Sequence, residues 1–397
     1  MVSTKKNKSL YIDTEALSSL ALVQAGLIAP VTGLMNKQTS DDVNQNKTYK
    51  GMPFPFSFIL APKGKKNHET LKVIQPNEIV DLISDKHKVG ELIVEETFEI
   101  DPNERVSNIY GTNDLSHPGV RNTLARLGTI AVSGQYKVEY PLIQNNIKLV
   151  KDIIKKTSAR HVAGIMLAGN PFNRAHEKMI RQTLNHSDLV ILFLRKPFTS
   201  DGLNYEIRHK SLLEFVENFL PPNKVIIVPF ENTYIFAGYS ELILDAFLAK
   251  NYGCNELVVG KNHAGLGLYY DHNRTNTIFD QCNKNLGIEI APIEEYVYCN
   301  ICTTLVSDET CPHGHHHHIK YNSHAILKLI QNGIVPPTIL VRKEVSATIL
   351  SALFPNRFKN IQNLYYDLFP NSGLLEEQTN KTFYTKLIEL YQTSSLT

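Results

Sequence analysis

The chain has 397 residues, 42% of them hydrophobic and 20% charged, with 41 Lys and Arg against 39 Asp and Glu. That length supports two or three domains with cores of their own, and a net charge of +2 leaves no source for the counterion release that drives nucleic-acid binding. Neither a nucleic acid nor a membrane surface is therefore an expected partner. The longest apolar stretch, around residues 20–31, is broken by Gln24 and Gly26 and preceded by Asp13 and Glu15. It suits neither a bilayer span nor a signal-peptide core, so a cytoplasmic chain is expected.

Short β-like runs follow at Pro53–Leu60, Glu91–Glu95 and Thr129–Val132, separated by Gly, Pro, Asn and Asp. Their density, with few long amphipathic runs, predicts a β-rich N-terminal domain over residues 1–155. From about residue 160 the rhythm changes. His161–Leu167 reads as a buried strand, Asn173–Asn185 as a helix and Asp188–Leu194 as a strand again. The alternation continues through Lys224–Val228, a helix over Ser240–Lys250, a strand at Glu256–Val259, a helix over Thr275–Asn285 and a strand at Ile288–Pro292. Continuous apolar strands alternating with amphipathic helices predict βαβ units and a mostly parallel sheet, here over residues 156–324. Ligands on such sheets bind beyond the carboxyl ends of the strands. The segments 169–174 and 260–265 both fall at that edge. Helical runs at Ala325–Gln331 and Asn360–Leu368 place a small domain over residues 325–397.

Three constellations carry chemistry. In Gly169–Ile180, Asn170-Pro171 and Asn173 each offer a helix cap after a strand. Either choice leaves first-turn N–H groups for an anion, with His176 beside them; the alternative is a capped helix start with His176 bonded locally. In Gly260-Lys261-Asn262-His263-Ala264-Gly265, glycines allow close backbone approach while Lys261 and His263 supply donors for phosphate. Two such loops at one sheet edge point to a nucleotide or other polyanion pocket. The third constellation is Cys299-x2-Cys302, with Cys311 and a histidine beyond, which has the spacing of a closed, tetrahedral, structural zinc site rather than of disulfides. His315 is the expected fourth ligand, with His313 the alternative, because Cys311-x3-His315 leaves more room to wrap an ion. The acidic neighbours Glu294, Glu295, Asp308 and Glu309 are unlike a nucleic-acid zinc ribbon.

These residues resemble the ATP sulfurylases (sulfate adenylyltransferases) over most of the chain. Gly111-Thr-Asn-Asp114 with His117-Pro-Gly-Val120 looks like that family's GTxDxxHPGV segment. Asn170-Pro171 with Arg174-Ala-His-Glu177 matches part of its QTRNPxHRAHE motif. Asn251-Tyr-Gly-Cys254 through His263-Ala-Gly265 is similar to NYGC…VGRDHAG, and the Cys299–His313 insertion is similar to CxxC…CPH. The resemblance implies a PUA-like N-terminal domain, a Rossmann-like catalytic domain, a small C-terminal domain and a homodimer of the bacterial type. It implies attack of a sulfate oxygen on the α-phosphorus of MgATP, so ATP, Mg2+ and a small oxyanion are the expected ligands. Carried over residue by residue, it gives Asn170, Arg174, His176, His263, Ala264 and Gly265. With Asn173 at the helix start and Gly260 and Lys261 in the glycine loop added, His176, Asn173 and Arg174 are the expected catalytic residues and Asn170, Gly260, Lys261, His263, Ala264 and Gly265 the expected nucleotide-binding ones.

The sequence also departs from the motif. Leu167 and Gly169 stand at its glutamine and arginine, Asn173 at its first histidine, and Ile235 at the arginine of MRYAGP. A preorganised transition-state donor is worth roughly 10²–10³ in rate. Three readings therefore stay open: a sulfate adenylyltransferase, an adenylyltransferase with a changed acceptor, and a nucleotide- or partner-binding scaffold that has lost catalysis.

Overall fold

The computed structural model describes residues 7–197, 202–236, 241–260, 286–369 and 376–393. In its first part, β1 (Lys8–Tyr11), α1 (Thr14–Gln24), α2 (Lys37–Asn46), β2 (Thr48–Tyr49), β3 (Met52–Pro53), β4 (Leu60–Pro62), α3 (Lys65–Val73), β5 (Ile79–Ser84) and β6 (His87–Glu99) come in turn. They are followed by α4 (Pro102–Tyr110), α5 (Pro118–Arg126), β7 (Leu127–Val138) and α6 (Pro141–Thr157). A five-stranded sheet runs in the order β1-β5-β6-β7-β4. The β1–β5 pair is parallel and the remaining pairs are antiparallel. Val80, Leu82, Leu92 and Val94 alternate inward on β5 and β6 and are fully buried, the period-2 signature of a half-buried sheet.

Two features differ from the sequence reading. Helices interleave with this sheet more densely than the sequence suggests, since α4 and α5 are short and hide behind the turn-like dipeptides Asp101-Pro102 and His117-Pro118, which act as caps with proline in the first turn. The run Pro53–Leu60 is also not one strand, because only its two ends lie in β3 and β4. Phe54, Phe56 and Phe58 are buried as the alternation requires. Two backbone N–H groups between these ends, however, meet side chains instead of a ladder: Ser57 N donates to Asn44 Oδ1 at 3.0 Å and Phe58 N faces Met35 Sδ at 3.3 Å.

The second part contains β8 (Val162–Leu167), α7 (Arg174–Leu184), β9 (Leu189–Pro197), α8 (Tyr205–Phe219), β10 (Val225–Asn232), α9 (Glu241–Tyr252), β11 (Glu256–Gly260) and β12 (Glu289–Ile293). The strand order β10-β9-β8-β11-β12, with a helix in each of the crossovers β8-α7-β9, β9-α8-β10 and β10-α9-β11, is the parallel α/β core that the alternation predicts. β9 is buried from Leu189 to Leu194, which is why its apolar run is continuous. Beyond it lie β13 (Tyr296–Cys299), β14 (Thr304–Ser307), a 3-10 turn (His315–His317) and β15 (His318–Lys320), then α10 (Ser323–Gln331), α11 (Lys343–Leu353), α12 (Ile361–Leu368) and α13 (Asn380–Thr393). The helix expected over Thr275–Asn285 lies outside the described residues.

Two compact units are distinguished: Met1–Gly164 with Glu231–Pro292, and Ile165–Phe230 with Ile293–Thr397. No described helix is long and apolar enough to cross a membrane.

Candidate active site and metal centre

The segment after β8 carries four of the residues selected by sequence, Asn170, Asn173, Arg174 and His176. Asn173 is the N-cap of α7, and its Oδ1 accepts from Ala175 N at 3.1 Å and His176 N at 3.3 Å. His176 reciprocates, with Nδ1 accepting from Asn173 N at 3.2 Å. This is a capping box with imidazole in the place of the usual carboxylate. Arg174 N donates to Leu340 O at 2.9 Å, and Glu177 N closes the first helical bond to Asn173 O. The first-turn amides, expected to be open to an anion, are thus all engaged within the chain. What remains at this junction is imidazole chemistry. With Nδ1 accepting, the neutral ring of His176 carries its proton on Nε2. Burial holds this histidine down to about 4, and its ring stacks on Phe172 with centroids 5.6 Å apart. At neutral pH it is an uncharged donor.

Arg174 is committed elsewhere. Its Nη1 bonds Glu177 Oε2 at 3.1 Å and its Nε donates to Thr338 O at 3.1 Å. The buried Glu177 also takes the guanidinium fork of Arg342, with Nη2 at 2.8 Å and Nε at 3.1 Å. The Arg342 guanidinium lies 3.9 Å from the centre of the Phe219 ring. This Arg–Glu–Arg triad fastens the start of α7 to the segment 338–342, so the geometry places Arg174 in a positioning role. The sequence reading did not select Glu177 or Arg342 for this role.

Asn170 likewise serves the backbone: Oδ1 accepts from Leu203 N at 2.9 Å, and a Cβ at Gly202, which has φ +89°, would collide with the Asn170 amide. Leu167 is buried, and Gly169 adopts φ +58°. Ile235 is also buried, in the turn that follows β10. None of the three supplies a side-chain donor. Cations at the carboxyl end of β9 are Arg195 and Lys196, joined by Arg208 of α8, which the sequence reading missed. Arg208 is 4% exposed and donates to Ala168 O at 3.1 Å. Its signal was present: Arg208 shares the buried stripe of α8 with Ser211, Leu212 and Phe215, where an unpaired cation is costly.

Gly260 ends β11, and among the described residues no atom lies within 4 Å of where its side chain would stand. Lys261, His263, Ala264 and Gly265 lie outside the described residues.

The metal constellation is compact. Cys299 ends β13, Cys302 follows in the turn toward β14, and Cys302 N points at Cys299 Sγ at 3.4 Å. Cys302 Sγ and Cys311 Sγ are 3.8 Å apart, and His313 Nδ1 lies 3.5, 3.2 and 3.5 Å from the sulfurs of Cys299, Cys302 and Cys311. A tetrahedral zinc with ordinary bond lengths requires about 3.8 Å between sulfurs and about 3.6 Å between sulfur and nitrogen, so the donor set fits. The favoured fourth ligand is corrected: His313, not His315, joins the cysteines. His313 approaches through Nδ1, the ring nitrogen nearer its backbone, so the short Cys311-Pro312-His313 return suffices. His315 is instead 80% exposed beside Asp308. Burial opposes ionisation of Cys299, yet hydrogen bonds from the Cys302 and Ile301 backbone bring its thiol down to about 7, while burial and the neighbouring sulfurs push Cys302 up to about 11.

A family model described as ATP-sulfurylase matches residues 144–352, and one described as a PUA-like domain matches residues 1–139. The sulfate adenylyltransferase of Chloroflexus aurantiacus is 28% identical over 353 residues, covering 87% of this chain and 91% of its own. That of Halothermothrix orenii is 28% identical over 360 residues with the same coverages. That of Psychrobacter sp. is 25% identical over 359 residues, covering 86% and 84%. Among solved structures, a hexameric APS kinase from Thiobacillus denitrificans superposes with a TM-score of 0.64 at 16% identity, over 89% of this chain and 64% of that one. That last likeness is one of fold.

Proposed function

Because this chain belongs to the ATP-sulfurylase family, we propose that it is a sulfate adenylyltransferase: an oxygen of sulfate attacks the α-phosphorus of MgATP, the bond to the β-phosphate bridging oxygen breaks, and adenylyl sulfate and pyrophosphate leave. The observation that carries this reading is that the family match spans the β8–α7 junction, where Asn170, Asn173, Arg174 and His176 stand in one short segment. Mg2+ arrives with the nucleotide. His176 donates from Nε2 to a phosphate oxygen whose charge grows in the transition state, which is the electrostatic contribution this reaction class needs. Arg174 positions α7 through Glu177. Asn170 is assigned to nucleotide binding, and by the family resemblance so are Gly260, Lys261, His263, Ala264 and Gly265. Arg195, Lys196 and Arg208 supply the positive charge that Gly169 lacks. A structural zinc on Cys299, Cys302, Cys311 and His313 anchors β13 to its neighbours, and the enzyme works as a cytoplasmic homodimer.

A second reading is favoured by a specific observation: with Leu167, Gly169, Asn173 and Ile235 at motif positions and the α7 amides engaged, the family's oxyanion donors are depleted. On that reading the chain binds nucleotide without turning over sulfate, or transfers the adenylyl group to another acceptor. Pyrophosphate release from ATP, Mg2+ and sulfate, with pyrophosphatase present to draw the equilibrium, decides. Sulfate-dependent release supports the enzyme. ATP binding by calorimetry without release supports the scaffold, and release that depends on a different acceptor supports the changed transferase.

A further inference from the structure

Beside the cysteine clip lies a second group of metal-ligating side chains that the proposed activity does not use. Asp308 follows β14, His315 sits in the 3-10 turn and His318 opens β15. One carboxylate oxygen and two ring nitrogens lie within 4.8 Å of one another. The 3-10 turn explains the pairing of the histidines, because residues three apart eclipse on such a turn. We propose that Asp308, His315 and His318 form a second divalent-cation site, distinct from the cysteine clip.

The argument turns on the two nitrogens of His318. Its side chain is 2% exposed, and its Nε2 lies 3.3 Å from Cys311 Sγ. Nδ1 lies 3.4 Å from Asp308 Oδ1 and has no hydrogen-bond partner among the described residues. A buried ring nitrogen left without a partner beside a carboxylate costs free energy that a cation between the two relieves. The spacing suits a cation: two ligand atoms bound tetrahedrally at ordinary zinc–nitrogen and zinc–oxygen lengths are about 3.4 Å apart. His315 Nδ1, 3.8 Å from the same oxygen, completes three ligands with water in the remaining position. Imidazole and carboxylate donors select a first-row divalent ion such as zinc, cobalt or nickel over calcium. The ion would tie the end of β14 to the start of β15.

The test is a cobalt titration of the full chain purified with zinc in the clip, followed by metal analysis and visible absorption. We expect one further equivalent, with a spectrum that lacks thiolate-to-cobalt charge transfer. Asp308→Asn and His315→Ala should each weaken that equivalent about tenfold or more while leaving the clip zinc in place, and His316→Ala and His317→Ala should leave its affinity unchanged. The proposal is overturned if no second equivalent binds, if the double variant Asp308→Asn/His315→Ala keeps it, or if it disappears in the His316 or His317 variants. The clip is scored separately. Loss of the thiolate-type ion in Cys302→Ser supports the clip, whereas a protein whose single equivalent shows only nitrogen and oxygen ligation supports this site and overturns the clip.

Discussion

At His176 a local hydrogen bond sets the chemistry. Asn173 N occupies Nδ1, so Nε2–H is the atom left to meet a substrate oxygen. If it does so in the transition state, His176→Ala should lower sulfate-dependent pyrophosphate release by roughly 10²–10³, with the loss in kcat rather than in KM. The same residue gives a stability signature. Its pKa is 6.5 in the reference state and about 4 in the fold, so below 6.5 the unfolded chain binds a proton that the folded chain refuses. Stability therefore falls as pH drops from 6.5 toward 4 and is unaffected by this group above that window. Denaturant midpoints at neutral and acid pH should converge for His176→Gln relative to wild type. Gly202 offers a second check: with φ +89° and the Asn170 amide in the way of a Cβ, Gly202→Ala should cost about 1–3 kcal/mol, read from the same denaturation curves. The importance of Gly202 was not legible, because its constraint comes from a residue 32 positions earlier in the chain.

Among elements, α7 was legible in its span, because a clean amphipathic stripe follows Asn173, while its cap was left open between Asn170-Pro171 and Asn173 and falls on Asn173. What could not be read was the partner of Arg174 N, a carbonyl at Leu340, or the Arg342 fork on Glu177. Both close between segments more than a hundred residues apart, beyond the reach of any local pattern. Removing the shared carboxylate strands two arginines, so Glu177→Ala should cost about 3–5 kcal/mol, with unfolding followed by circular dichroism. At the metal clip the spacing revealed that three cysteines and a histidine cluster but not which histidine joins them, since spacing does not say which ring nitrogen is used. His313→Ala should release zinc far more readily than His315→Ala when challenged by a chelator, measured by metal content after dialysis. The run at Pro53–Leu60 failed for the opposite reason: its aromatic alternation describes burial correctly, but Asn44 and Met35 take the backbone bonds that a neighbouring strand would have made.

For the whole molecule, strand and helix alternation was enough to predict the parallel core, because each βαβ unit announces itself within a few dozen residues. The composition of the two units was not visible, since each is assembled from separated stretches of chain and periodicity carries no information about that. Near-balanced charge also has a consequence at this scale. With a net charge of +2, attraction for a nucleoside triphosphate must come from local donors rather than from the field of the protein. Binding should nevertheless be visible globally. MgATP at a hundred times its Kd should add about 2.7 kcal/mol to the unfolding free energy, seen as a rise in Tm, and a DNA duplex should give no such rise.

The closed start of α7 carries one more implication. Asn173 and Leu340 already saturate the amides there, so a phosphate seated on them would have to evict these residents, one bond surrendered for each one made. Affinity at that spot becomes the difference between two nearly equal sets of bonds. Small changes far along the chain, at the loop bearing Leu340, could then tip the exchange without touching the nucleotide.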